Sequence, residues 1–179
     1  MYGMNAPAKD FDGENKYIRI TDISESSNTF IPNPLTSPDD ELDDKFLLKD
    51  NDLLFARTGA STGKSYLYDK NDGKLYFAGF LIKINIINAV SRFIFYQTLR
   101  NQYNNWVKII SVRSGQPGIN AEEYKNYKFK SSSLKEQQKI ANFLSYVDKK
   151  ITLLKDRLDS FEDFKKFCMQ QLFAEKFKI

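Results

Sequence analysis

The segment 134–179 carries apolar residues at alternating steps of four and three positions. A spacing of about 3.5 residues keeps one face of a helix turned towards a partner helix, which is typical of a coiled coil. Neither glycine nor proline interrupts the segment, so we expect a single long helix. The seam that this pattern predicts consists of Ile140, Leu144, Val147, Ile151, Leu154, Leu158 and Phe161.

Such a helix constrains the rest of the chain because it requires a partner. About 40 helical residues form a rod of roughly 60 Å, longer than the width of a small domain. We expect the seam to pack against a partner helix. The alternative is a helix folded back on its own domain, where most amphipathic helices pack.

The remaining residues suffice for one globular domain. A chain of 179 residues suits one core and one appendage, which we place at 1–133 and 134–179. Alternating apolar and aromatic runs predict an α+β fold in which a predominantly β domain with one embedded helix precedes the long coiled-coil helix. A net charge of +4 is compatible with nucleic-acid binding but does not require it.

Composition excludes several classes of enzyme. The chain has no histidine and one cysteine, Cys168, so Ser-His-Asp and Cys-His catalysis and histidine-containing zinc sites are excluded. Any enzyme hypothesis must then work with carboxylates, Lys or Tyr. The longest apolar stretches are strand-sized, and neither a leader peptide nor a membrane span is evident, so we expect a cytoplasmic protein.

The first domain is predicted to be rich in strands. Residues 1–14 should form an irregular lead-in, and Ser131 to Ser133 should cap the long helix with Glu136 at the distance of a capping box. Asp72-Gly73 between two aromatic runs predicts a hairpin turn. The predicted strands are 16–23, 53–56, 66–68, 75–77, 80–87 and 107–112, and the predicted embedded helix is 89–105.

One polar loop resembles a phosphate-binding loop but lacks its spacing. Three residues separate Gly59 from Gly63 where a Walker loop has four, and a strand is predicted after Lys64 where a Walker loop opens a helix. Cations and short hydroxyl side chains in this loop suit phosphate oxygens and base edges, although a solvated hairpin has the same composition. The DNA-binding candidates here are Arg57, Thr58, Ser61, Thr62, Lys64 and Ser65.

A second polar loop, 113–120, has a similar composition. It combines a cation, an amide that can pair with adenine, and glycines that allow close approach to a surface. Its candidates are Arg113, Ser114 and Gln116. Sequence alone does not show whether the two loops meet.

Pieces of sequence in a fixed order now point to a family. They are Tyr17-Ile18-Arg19, Asp52-Leu53-Leu54-Phe55-Ala56-Arg57-Thr58-Gly59, Thr62-Gly63-Lys64, Gly79-Phe80-Leu81, Ser114-Gly115-Gln116-Pro117-Gly118-Ile119-Asn120, Glu136-Gln137-Gln138-Lys139-Ile140-Ala141 and Phe164-Lys165-Lys166. The chain resembles the specificity subunit of a type I restriction-modification system, in a form with one target-recognition domain and one conserved helix. It departs from the family where Ser131-Ser132-Ser133-Leu134 replaces the usual paired prolines. Arg19, in the first piece, joins the DNA-binding candidates.

The resemblance implies a non-catalytic subunit that selects a bipartite DNA target for adenine methylation and restriction. Double-stranded DNA and the modification subunits would be its partners, with restriction subunits joining through the latter. The long helix would pair antiparallel with that of a second copy or of a second half-subunit. No catalytic residue, metal ligand or cofactor is expected in this chain, while S-adenosylmethionine, ATP and Mg would be bound by partner subunits. Two rival hypotheses remain: a dimeric coiled-coil adaptor whose head binds a protein, and a nucleotide-hydrolysing enzyme.

Overall fold

The structure is a computed structural model that describes residues 1–112 and 116–176. Its residues divide into two compact units, Met1–Gln137 and Gln138–Ile179. The α+β class predicted from the sequence is confirmed, because in the described residues the short strands come first, short helices follow them, and a long helix comes last. Across the described residues, no helix combines the length and hydropathy that a membrane span requires.

The strands of the first unit form three small sheets. They are β1 (Ala8–Asp10), β2 (Lys16–Ile18), β3 (Thr36–Pro38), β4 (Leu53–Ala56), β5 (Ser65–Leu67), β6 (Leu75–Phe77) and β7 (Leu81–Ile84). Strand β4 lies between β5 and β7, antiparallel to both. Strand β2 pairs parallel with β6, and β1 pairs antiparallel with β3.

The core forms where the faces of these strands meet. The apolar run of β4 is buried at every position, which matches its central place in a sheet. Side chains from β2, β4, β5, β6 and β7 contribute to one buried cluster. Its members are Ile18, Ile23, Leu48, Leu54, Ala56, Tyr66, Leu75, Phe77 and Leu81.

The helices are α1 (Ser91–Thr98), α2 (Asn101–Ile110), α3 (Ala121–Lys125) and α4 (Leu134–Lys176). The predicted single long helix is confirmed by α4, which has 43 residues. Its start is fixed locally, because Glu136 N–H donates to Ser133 Oγ at 3.3 Å. Gln137 in the first turn is buried, and its Oε1 accepts a hydrogen bond from Val90 N–H at 3.0 Å.

The predicted hairpin between 66–68 and 75–77 is wrong. Strand β5 pairs with β4, whereas β6 pairs with β2, so the two runs are not neighbours in a sheet. The connection is a 3₁₀ turn at Lys70–Asp72, in which Asp69 Oδ1 accepts from Asn71 N–H at 2.9 Å. A local side-chain acceptor and long-range pairing thus override the Asp-Gly turn signal.

The predicted strand 16–23 and the irregular lead-in also need correction. Strand β2 ends at Ile18 because Arg19 and Asp22 close a 3₁₀ turn, with Arg19 N–H donating to Asp22 Oδ2 at 2.8 Å. The lead-in contains β1, and Tyr2 and Met4 form isolated bridges with Ile82 and Ala78.

The region 89–112 contains two helices instead of a helix and a strand. Thr98 Oγ1 donates to Phe95 O at 2.6 Å, and the helix ends there. The predicted strand 107–112 is wrong, because most of it lies in α2. Tyr103, Val107 and Ile110 recur at helical spacing, and this period outweighs the β propensity of the valine and isoleucines.

Candidate nucleic-acid interface

The two polar loops meet in the structure. Thr58 and Gly118 form an antiparallel bridge. On either side of it, Gly59 N–H donates to Pro117 O at 3.0 Å and Ile119 N–H donates to Arg57 O at 2.9 Å. We call residues 56–65 and 116–120 the loop junction. Backbone pairing of this kind gives the junction a defined shape before any ligand binds.

The hydroxyl groups of two buried tyrosines form hydrogen bonds with the backbone of the loop junction. Tyr124 Oη donates to Ala56 O at 2.6 Å and accepts from Gly63 N–H at 3.1 Å. Tyr103 Oη donates to Gly63 O at 2.7 Å. Burial raises the pKa of Tyr103 and of Tyr124, so both hydroxyls remain protonated and able to donate.

Gly63 lies where only glycine fits. Its φ is +89°, and a Cβ built there would lie 2.5 Å from Val107 Cγ1 on α2. The loop therefore packs directly on the helix. The chain then continues into β5, so no helix follows Gly63-Lys64-Ser65 and the geometry of a Walker loop is absent at this position.

Arg57 lies at the rim of the loop junction between two exposed aromatic rings. Its Cζ lies 5.0 Å from the centroid of the Tyr2 ring and 5.9 Å from that of the Phe80 ring. Its backbone N–H donates to Phe80 O at 3.0 Å. Phe80 is 56 % exposed and Tyr2 is 41 % exposed. Within the described part of the chain, no carboxylate forms a salt bridge with Arg57.

The N-terminal residues bring Tyr2 to this position. Met1 N donates to Lys83 O at 2.8 Å, and Gly3 N–H donates to Leu81 O at 3.1 Å, so the segment runs along β7. Ala121 N–H donates to Tyr2 Oη at 3.3 Å. Tyr2 therefore links the start of the chain to the start of α3, beside the second polar loop.

A cavity of about 610 Å³ opens beside Arg57. We call it the Arg57 pocket. Its size falls in the range of ligand-binding cavities, ~300–1,000 Å³. Its lining is formed by Tyr2, Gly3, Met4, Asn5, Ala6, Ala8, Tyr17, Arg19, Ile20, Thr21, Arg57, Ala78, Gly79 and Phe80.

Arg19 lines the same pocket, but its charge is balanced inside the protein. Its Nε and Nη2 donate to the two carboxylate oxygens of Asp22 at 2.9 and 2.8 Å. The hydrogen bond to the Asp22 carboxylate raises the pKa of Arg19. Its Nη2 also donates to Pro34 O at 3.3 Å. Arg19 thus fixes the turn after β2 and offers little uncompensated charge to a ligand.

Lys64 is likewise engaged within the chain. Its ammonium group donates to Ile23 O at 3.1 Å and forms an ion pair with Glu25. The Lys64 side chain is only 10 % exposed, whereas Glu25 is 86 % exposed. A phosphate would therefore have to displace the Glu25 carboxylate to reach Lys64.

The other candidates of the first loop differ in their access to solvent. Thr58, Ser61 and Thr62 are half-buried, and Thr62 Oγ1 donates to Gly59 O at 2.7 Å. Ser65 is buried, and its hydroxyl bonds that of Thr98 at 2.6 Å, so it serves the packing of α1 on β5.

In the second loop, Gln116 is exposed, and a Cβ at Gly59 would lie 3.0 Å from its Nε2. The predictions for Arg113 and Ser114 lie outside the described residues. Among the candidates of this loop, Gln116 is the one whose side chain the structure describes.

Sequence reasoning missed Phe80 and the two supporting tyrosines. Phe80 was assigned to a strand, but it lies in the turn before β7, and the adjoining Gly79 was the available signal. The other tyrosines differ in burial, because Tyr17 and Tyr66 are buried and belong to the core, while Tyr2 is exposed. No sequence signal reveals that tyrosine hydroxyls bind the loop backbone.

The predicted seam of α4 is exposed over most of its length. Ile151, Leu154, Leu158 and Phe161 are exposed, as is Ile140, whereas Leu144 and Val147 are half-buried. Phe164, Phe167, Leu172 and Phe173 extend the exposed apolar surface along the helix. Such a surface is larger than an isolated soluble helix usually presents.

Comparison with known proteins gives two findings. The family model described as "Type I restriction modification DNA specificity domain" matches residues 4–163. A solved structure, from a study of complex assembly and conformational transition of the type I R-M system, superposes with a TM-score of 0.58 at 14 % identity. The alignment covers 98 % of this chain and 47 % of that chain. At this identity the likeness shows a shared fold, and the chain spans about half the length of its structural relative.

Proposed function

The chain belongs to the family of type I restriction modification DNA specificity domains, and from that premise we propose that it binds one short DNA sequence through the loop junction. Modification subunits would then act at the site that it selects. The chemistry of adenine methylation and of ATP-driven cleavage would belong to partner subunits, together with S-adenosylmethionine, ATP and Mg. This assembly would work in the cytoplasm, where the DNA target lies.

The observation that carries the proposal is the convergence of the two polar loops around Arg57. Arg57, Thr58 and Gln116 lie on or beside one backbone bridge, with an uncompensated guanidinium at its rim. Arginine and glutamine are the side chains best suited to bidentate recognition of guanine and adenine edges. The half-buried hydroxyls of Thr58 and Ser61, with backbone N–H groups of the same loops, would position the phosphate backbone.

We also propose that α4 pairs antiparallel with a second helix of its kind. At ~1.5 Å per residue its length is about 65 Å, and its exposed seam provides the apolar face that such pairing buries. The second helix would come from another copy of the chain or from another half-length chain. Two heads held apart in this way would read two separated half-sites.

Symmetry then determines the form of the target. Two identical heads related by a two-fold axis present the same surface to opposite DNA strands. We therefore expect two inverted copies of one half-site separated by bases that are not read. Pairing with a different half-length chain would instead give two unlike half-sites.

The direct test is selection from random duplex DNA, with the chain alone and together with its modification subunit. A DNA-recognition subunit should enrich one motif, and its affinity should fall steeply as salt increases, because phosphate contacts release counterions. An adaptor that binds a protein would enrich no motif and would show little dependence on salt. The first pattern supports the proposal and the second rejects it.

A further inference from the structure

We propose that Arg57 reads a guanine in the major groove and that Tyr2 and Phe80 are positioning residues for its guanidinium group. This inference rests on the proposed DNA-recognition function and names the residue and base on which part of the specificity depends. It also makes the N-terminal segment part of the recognition site, although that segment precedes both polar loops in the chain.

The three cations Arg19, Arg57 and Lys64 near the loop junction differ in how far their charge is balanced within the chain. The guanidinium group of Arg19 donates two hydrogen bonds to the Asp22 carboxylate, and Lys64 is paired with Glu25 and largely buried. Arg57 is half-buried, and within the described residues its guanidinium contacts aromatic rings and no carboxylate. Among these three cations it is the one whose charge and hydrogen-bond donors remain available to a ligand.

The position of Arg57 is defined by backbone hydrogen bonds and by two aromatic rings. The Arg57 backbone is fixed on both sides, since its N–H donates to Phe80 O at 3.0 Å and its carbonyl accepts from Ile119 N–H at 2.9 Å. The Tyr2 and Phe80 rings lie close to the guanidinium, with Cζ-to-centroid distances of 5.0 and 5.9 Å. A side chain held in this way loses less conformational freedom when it binds.

The free hydrogen-bond donors of the Arg57 guanidinium suit a guanine base. Cation–π contacts with aromatic rings use the π-electron density and leave the N–H groups of the guanidinium free to donate. Those donors form a planar fork that matches O6 and N7 of guanine, the commonest specific arginine contact in the major groove.

The experiment is motif selection from random duplex DNA with the parent chain and matched variants, in complex with the modification subunit. Arg57→Lys keeps the charge and most of the stem but loses the planar fork. It should reduce the preference for guanine at one position by roughly 5- to 150-fold and leave the other positions unchanged. Arg92→Lys, at an exposed arginine on α1, is the control and should leave the motif intact.

The positioning role has its own test. Tyr2→Ala should weaken the preference for guanine at the same position of the DNA motif that Arg57→Lys affects. Tyr2→Phe should keep the parent preference, because phenylalanine retains the ring and loses only the hydroxyl that accepts from Ala121 N–H. Phe80→Ala should act at that position as well. Relaxation of a different position, or of every position equally, would overturn the positioning role.

The outcomes separate this inference from the function on which it rests. If the parent enriches a motif and Arg57→Lys retains its full guanine preference, the inference is wrong while the DNA-recognition function stands. If the parent enriches no motif, the proposed function fails and the inference fails with it. Thermal melting of Arg57→Lys, expected to match the parent within a few degrees, shows that any change in preference is not caused by unfolding.

Discussion

Replacing Tyr103 by phenylalanine removes a hydroxyl group that supports the loop junction. Tyr103 Oη donates to Gly63 O at 2.7 Å, and Gly63 O accepts no other hydrogen bond within residues 1–112 and 116–176. The variant therefore leaves a buried carbonyl without a partner. Such a group costs about 1–3 kcal/mol of unfolding free energy.

Tyr124→Phe provides an informative comparison because its backbone partners also bond each other. Gly63 N–H donates to Ala56 O at 3.0 Å in addition to its bond with Tyr124 Oη. Neither group is orphaned when the Tyr124 hydroxyl is removed. The cost should therefore be that of an ordinary hydrogen bond, about 0.5–1.5 kcal/mol, and smaller than that of Tyr103→Phe.

Urea unfolding followed by tryptophan fluorescence measures both values. Trp106 is the single tryptophan of the chain, and its ring centroid lies 5.9 Å from that of Tyr103, so it reports on this part of the fold. Tyr127→Phe is the control, because its ring packs on Trp106 at 4.7 Å and no hydrogen bond of its hydroxyl is found in the described residues. A Tyr103→Phe variant as stable as this control would refute the support that we assign to Tyr103.

Further perturbations address the charge, the seam and the length of α4. Glu25→Gln should release Lys64 and strengthen binding to all DNA sequences alike, and the slope of log affinity against log salt concentration should become steeper by about one. Glu14→Gln is the control, because it also removes a carboxylate paired with a lysine and should leave this slope unchanged. Leu154→Asp should convert a dimer into monomers or insoluble protein, as sedimentation would show, because it places an unpaired charge in the seam; a monomeric parent at micromolar concentration would contradict pairing. Insertion of four residues in each α4, ~6 Å, should lengthen the unread gap of the target by about two base pairs, as mapped on modified DNA, and an unchanged gap would mean that the helix does not set the spacing.

The parts of the fold that depend on local sequence were predictable. The long helix follows from its apolar period and the absence of glycine and proline, and its start follows from Ser133. Strand β4 was predictable because its residues, Leu53–Ala56, form a continuous apolar run. These elements are determined by residues within a few positions of each other.

Elements that depend on distant partners were not predictable. The parallel pairing of β2 with β6 joins Tyr17 to Tyr76, and this pairing places β6 away from β5 in spite of the Asp-Gly signal between them. Val107 and Ile110 have β propensity but pack as part of a helix. In both cases tertiary packing decided between two local possibilities.

The candidate site was predictable in composition but not in geometry. The two polar loops were identified by their cations, amides and glycines, whereas their junction depends on hydroxyls of Tyr103 and Tyr124 that bind the backbone. A charge in a sequence carries no information about its partner either. Lys64 and Arg57 look alike in the loop, yet one is paired with Glu25 and the other lies among aromatic rings.

Mapping of methylated bases in cellular DNA shows whether this chain selects the sites at which the modification subunit acts. DNA would be compared from cells that contain the modification subunit with this chain, with its Arg57→Lys variant, and without it. We predict methylated adenines within two inverted half-sites at a fixed spacing, present only with the chain and broadened at one guanine by the variant. Methylation that is independent of the chain would contradict its role in selecting the target. Methylation confined to one continuous asymmetric sequence would contradict the proposed pair of identical heads.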